Sequence, residues 1–218
     1  MNKIQFRNVL PQVFATNGVG QRPLQSDVWQ KEVCFERGRR YLVEADSGKG
    51  KSTFCSYILG YRHDYSGQVL FDGKDARSCS IGDWSRLRQR HVSCLFQELR
   101  LFPELTAFEN VEIKNKLTHR KTRQQIEAWF ERLGIADKLT AKVGRMSFGQ
   151  QQRVALMRAL AQPFDFLLAD EPISHLDDRN AQAMASLVKE EADSQGASII
   201  VTSIGKRLPL HYEFTLQL

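Results

Sequence analysis

A chain of 218 residues, 42% of them hydrophobic and 26% charged, is long enough to bury a core, and its composition excludes a disordered or collagen-like polymer. No run approaches 18 consecutive apolar residues, which excludes a membrane-spanning helix, and Met1 to Arg7 lacks the apolar core of a secretory leader, so a cytosolic location is expected. The net charge of +6 leaves two readings open, an anionic partner such as nucleic acid or a phospholipid surface, and a solvated basic face.

Apolar runs of strand length fall at Val33 to Phe35, Tyr41 to Glu44, Gln68 to Phe71, Val92 to Phe96, Phe164 to Ala169 and Ser198 to Thr202. Asp72-Gly73 supplies a turn after the third. Helix-compatible stretches lie between these runs. Phe54 to Leu59 comes first, and Thr106-Ala107-Phe108-Glu109 forms a capping box that opens a helix toward Lys116. A further helix is expected over about Lys121 to Leu133, closed by Gly134. Ser147 opens another that Pro163 terminates, and the last spans about Arg179 to Ser194. Strands at both ends and helices concentrated in the middle predict one domain over residues 1–218. Its fold class is α/β, with a core at 1–97 and 161–218 and an inserted helical subdomain at about 98–160. Cys34, Cys55, Cys79 and Cys94 show no paired spacing, so neither zinc nor a disulfide framework is expected.

The chemistry starts at Ser47-Gly48-Lys49-Gly50-Lys51-Ser52-Thr53, between the Tyr41 run and the first helix. Glycines let successive backbone N–H groups turn onto phosphate, Lys51 reaches the outer phosphates, and the Ser52 hydroxyl suits Mg²⁺. The pattern for such a loop begins with a glycine whose place is taken here by Ala45, followed by Asp46. Phe166 to Ala169 then ends in Asp170-Glu171, which puts one carboxylate where it can hold Mg²⁺ through water and a second where it can orient an attacking water.

Met146-Ser147-Phe148-Gly149-Gln150 resembles the signature of ATP-binding cassette ATPases, with Phe148 in place of one glycine. Gln97 after the Val92 strand, and Ser174-His175-Leu176-Asp177 after Glu171, fall in register with two further motifs of that family. The resemblance extends from about Ile4 to Thr202. It implies a phosphate-loop nucleotidase core with a mixed sheet, and a site shared by two subunits. Residues 45–53 and the Lys51 ammonium would hold the phosphates of ATP, with Ser52, Gln97 and Asp170 at Mg²⁺ and Glu171 as the base. Ser147, Gly149 and Gln150 would act on the partner's nucleotide. The family's adenine-stacking aromatic has a candidate in Phe14, for which core packing is the other reading. The family histidine after the Thr202 strand is replaced by Ser203, which implies slow hydrolysis with closure driven by binding.

The segment from Leu95 to Val111 resembles the branch of lipoprotein-release, macrolide-efflux and cell-division ATPases. The interval from Lys51 to Ser147 holds no sustained heptads, which argues against the chromosome-maintenance class and against a nucleic-acid partner. The implied partners are a second copy of the subunit and membrane permease subunits, with the chain peripheral on the cytoplasmic membrane face. Leu101, Phe102 and Leu105 either line a groove for a permease helix or pack within the helical subdomain. A nucleotide-controlled regulatory module with vestigial hydrolysis is the alternative function.

Overall fold

The computed structural model describes residues 1–16, 25–46 and 48–218. Ser47, expected in the phosphate loop, lies outside them. Among the described residues the chain forms two sheets. The first is antiparallel, in the order β2 (Glu32–Glu36), β1 (Lys3–Pro11), β4 (Tyr65–Phe71), β5 (Lys74–Asp75). The second is parallel throughout, in the order β6 (Val92–Leu95), β7 (Phe166–Asp170), β8 (Ser198–Ser203), β3 (Arg40–Glu44), β9 (Phe214–Gln217). The expected mixture of strand directions is thus divided between two sheets.

Parallel strands joined by crossovers are covered on both faces, so they are apolar without a polar stripe. Alternate residues serve two different clusters. Leu42, Leu167, Ala169, Ile199 and Val201 face a helical cluster. Tyr41, Val43, Phe166, Leu168 and Ile200 face an aromatic-rich cluster shared with the antiparallel sheet. That second cluster includes Phe6, Trp29, Phe35 and Phe54, whose rings meet at centroid distances of 5.2 to 6.5 Å.

The helices are α1 (Gln12–Thr16), α2 (Lys51–Ile58), α3 (Ile81–Arg90), α4 (Ala107–Asn115), α5 (Arg123–Arg132), α6 (Phe148–Leu160) and α7 (Asp178–Asp193). The capping boxes at Thr106 and Ser147 form as expected, with reciprocal bonds to Glu109 and Gln150. Five elements lie outside the sequence expectation, namely β1, α1, β5, α3 and β9. β1 and β9 carry polar residues on their open faces, and α3 has only Trp84 and Leu87 buried, so their apolar signals are thin.

Candidate functional site

The parallel register brings the carboxyl ends of β3, β7 and β8 to one edge, pairing Glu44 with Ser203 and Asp170 with Thr202. In an open parallel sheet that edge is where ligands bind. The phosphate loop leaves β3 through Ala45, whose N–H donates to the Ser203 carbonyl at 3.2 Å. Ala45 is absent from the residues with positive φ, so this position makes no demand that only glycine could meet. The demand falls instead on Gly48 (φ 81°) and Gly50 (φ 100°), both in left-handed conformation. Gly50 caps α2 without any side-chain bond, leaving the N-terminal N–H groups of an eight-residue helix open to an anion.

Lys51 is buried, and its ammonium donates to the Ala45 and Asp46 carbonyls at 3.1 and 3.3 Å. It also lies 3.8 Å from a Glu171 carboxylate oxygen. Glu171 follows β7 with φ 47°, and its N–H donates to the Thr202 carbonyl at 3.1 Å. A non-glycine residue held in that region costs roughly 1–2 kcal/mol, and here it turns the carboxylate toward Lys51. Buried Gln152 on α6 supports the turn, its amide donating to the Glu171 carbonyl at 3.5 Å.

Asp170, the last residue of β7, is buried beside Glu171. Burial holds its carboxyl above the usual carboxylate range, and a hydroxyl hydrogen bond from Thr202 offsets part of that cost. The same burial pushes the neighbouring Cys55 thiol well up, so it stays neutral. Ser52 is exposed at the mouth of the loop and Thr53 is buried behind it.

The remaining expected residues divide into those brought to this edge and those held apart. Phe14 reaches it. A methyl group built on Gly50 would stand 3.3 Å from the Phe14 ring and 3.2 Å from Trp29, so both aromatics line one flank of the loop. Trp29 Nε1 also donates to the Lys49 carbonyl at 3.4 Å. Trp29 gives no signal in the sequence, because its stretch carries no strand or helix period. Gln97 follows β6 and is exposed. The chain behind it is pinned by Arg158 of α6, whose guanidinium donates to the carbonyls of Leu99 and Arg100 at 2.5 and 2.6 Å. Those two residues are both left-handed, with φ 58° and 50°.

Ser147 and Gln150 spend their side chains on each other's backbone N–H at the start of α6. Phe148 is 42% exposed and meets the His175 ring edge-on at 4.5 Å, so the residue that replaces the signature glycine touches the loop after Glu171. Gly149 packs against Leu176, leaving 3.2 Å for a methyl group. Ser203 is buried, and its hydroxyl donates to the Lys206 carbonyl while accepting from the Gly205 N–H. The hydroxyl that stands in place of the family histidine therefore closes its own turn. Leu101 packs on the helical cluster, Leu105 is half-buried, and Phe102 is exposed.

The family model for ABC transporters matches residues 30–174. A lipoprotein-releasing system ATP-binding protein of Coxiella burnetii is 32% identical over 79% of the chain and 76% of its own length. A macrolide export ATP-binding/permease protein of Aeromonas hydrophila is 34% identical over 83% of the chain, which spans only 28% of that protein. An uncharacterised ABC transporter ATP-binding protein of Mycobacterium tuberculosis is 29% identical over 96% of the chain, which spans 63% of it. Among solved structures, a dimeric bacterial ABC transporter cassette superposes with a TM-score of 0.73 and 26% identity, covering 92% of this chain and 87% of that one. A post-hydrolysis dimer of such a cassette, bound to ADP and phosphate, gives 0.72 and 25% over the same shares. The chain belongs to the ABC transporter family, as an ATP-binding cassette with the ATPase fold of the macrolide-export and lipoprotein-release branch.

Proposed function

We propose that the chain binds ATP with Mg²⁺ between two copies of itself, and that the resulting closure and hydrolysis drive a membrane permease from the cytoplasmic face. The convergence of Lys51, Asp170 and Glu171 at one sheet edge carries this reading, because it assembles a phosphate cation, a metal carboxylate and a base within one site. The donor set suits Mg²⁺, a hard cation that is commonly held by one or two carboxylates together with substrate phosphates. Asp170 is such a carboxylate, buried with one hydroxyl partner, and Ser52 and Gln97 offer exposed oxygens. No cluster of three His, Cys, Asp or Glu side chains suited to a metal occurs among the described residues, in keeping with a site completed by the nucleotide. When bound, the ion would neutralise charge on the phosphates.

Lys51 would leave the loop carbonyls and Glu171 for the phosphates, releasing the Glu171 carboxylate to orient water. The Gly48 and Gly50 backbone and the α2 N-terminus would cradle the anion, and Phe14 with Trp29 would flank the adenine side. Ser147, Gly149 and Gln150 would meet the partner's nucleotide. Residues 98–160 are proposed as a helical subdomain inserted in a core at 1–97 and 161–218. No nucleic-acid partner is proposed.

The regulatory alternative draws on one observation. Ser203 spends its hydroxyl within its own turn, so no side chain at that position is free for the γ-phosphate. Steady-state ATP turnover with and without the permease separates the two readings. The motor reading expects turnover that falls at least 100-fold in Glu171→Gln, while absence of turnover in the assembled complex favours the regulatory one.

A further inference from the structure

Behind the phosphate loop stands a cation that belongs to none of the motifs. α2 begins at Lys51, and Thr53 follows about 3 Å further along the helix axis. Arg62, in the turn that leaves the far end of α2, donates from Nη1 to the Thr53 hydroxyl at 3.3 Å. Asp64 holds the guanidinium there, accepting from Nε at 2.9 Å and also from Nη2. That contact keeps the Asp64 carboxyl below its ordinary range. The Asp64 backbone is itself fixed, its carbonyl accepting from the Tyr57 hydroxyl at 3.0 Å and from the Gln12 N–H at 2.9 Å.

These bonds place Arg62 between two parts of the site. Lys51 marks the end that suits the outer phosphates, and Gln12 opens α1, which carries Phe14 to the flank of Gly50. A nucleotide laid with its outer phosphates at Lys51 and its base at that aromatic flank has its innermost phosphate between them, on the side of α2 where Thr53 stands. The chemistry there suits an anion. A hydroxyl that accepts from Arg62 keeps its own proton to give, and Nη1 carries a second N–H beyond the one spent on Thr53. The Arg62 side chain is 42% exposed, so a ligand can reach it. A ribose hydroxyl is the other group near this position, but a planar cation with a fixed fork matches a phosphate oxygen better than a neutral hydroxyl.

We propose that Arg62 donates to the innermost phosphate of the bound nucleotide, with Thr53 and Asp64 holding the guanidinium in place. The inference rests on the nucleotide site proposed above and adds a residue to it. Because hydrolysis leaves that phosphate on the product, the contact holds ADP as well as ATP.

Equilibrium titration of the full chain with ATP, with ADP and with the two epimers of ATP that carry sulfur on the α-phosphate tests this. Arg62→Gln should weaken ATP and ADP alike, by roughly tenfold, and Arg62→Lys, which keeps the charge without the fork, should weaken both less. Lys51→Met should weaken ATP more than ADP. In the unsubstituted chain, the epimer that turns sulfur toward Arg62 should bind several-fold more weakly than the other, and Arg62→Gln should collapse that ratio. If Arg62→Gln does not fold, the ratio is read in Arg62→Lys, where it should shrink. A clamp that only steadies α2 would lower the melting temperature and weaken both epimers equally, leaving their ratio unchanged. An unchanged ratio, equal binding of the epimers by the unsubstituted chain, or a loss confined to ATP overturns the inference and leaves the nucleotide site standing. Absence of ATP binding by the unsubstituted chain overturns both.

Discussion

Asp170 and Thr202 lie 32 residues apart in the sequence and one hydrogen bond apart in the fold. Because burial raises the Asp170 pKa, the folded state holds this proton more tightly than the unfolded chain. The sign follows: its ionisation costs nothing below the unfolded carboxylate range and the full amount above the folded pKa, so this group lowers stability as pH rises between them. Asp170→Asn keeps an acceptor for Thr202 and removes the buried charge. It should raise the melting temperature of the nucleotide-free chain at pH 7 and abolish Mg²⁺-dependent turnover, with no rise below pH 3. For the same reason the apparent Mg²⁺ affinity of the unsubstituted chain should fall as pH is lowered toward the Asp170 pKa, which calorimetric titration reads. Lys51, Asp170 and Glu171 were legible because each stands in a motif of fixed spacing. The role of Ser203 was not, since a hydroxyl that closes its own turn looks identical in sequence to one that faces a ligand. Replacing it by histidine should cost about 1–2 kcal/mol in chemical denaturation through the lost bonds to Lys206 and Gly205.

Helix starts were the most readable elements, because a capping box is a local contract between a residue and the third one after it. At α6 that contract competes with the contact in trans proposed for Ser147. Ser147→Ala should cost about 1 kcal/mol as a lost cap, while Ser147→Thr retains the cap and changes only the group offered to a second subunit. ATP-dependent dimerisation measured by light scattering, lost in Ala and kept in Thr at equal stability after correction, separates capping from contact in trans. β1 was hidden for the opposite reason. Its pairing with β4 breaks register between Arg7 and Leu10 around left-handed Asn8, and a bulge interrupts the period-two pattern. Gly67 fits that bulge at φ 80°, with only 2.3 Å between a built methyl group and the Asn8 carbonyl oxygen. Gly67→Ala should therefore destabilise by roughly 3 kcal/mol or more, whereas Gly73→Ala, strained in φ but facing open space, should cost about 1 kcal/mol.

The parallel sheet separates two clusters of side chains, and the proposed nucleotide site sits where its strands end, so any force made there would reach the rest of the molecule through the elements packed on either face. Alternation along β3, β7 and β8 was invisible in sequence because both faces are apolar, and only the crossovers reveal which residue faces which cluster. The helical region is tied to α7 across that arrangement. Lys121 meets Glu191 at 2.6 Å, with Glu191 buried and Lys121 partly so, and Arg120 joins at 3.5 Å. Arg132 and Glu190 add a more exposed pair worth at most about 1 kcal/mol. Removing one partner of a buried pair strands the other, so Glu191→Ala should cost about 3–5 kcal/mol, and Glu191→Leu combined with Lys121→Met should recover most of it. Urea denaturation of Glu191→Leu, Lys121→Met and the double variant gives the coupling directly. A coupling below about 0.5 kcal/mol would mean that the helical region is held by its apolar contacts alone, and that the proposed closure meets no ionic latch there. A coupling of several kcal/mol would make Glu191 a point at which that closure is resisted. In that case weakening the pair should raise the rate of ATP-driven closure, measured by stopped-flow fluorescence, while lowering the stability of the open chain.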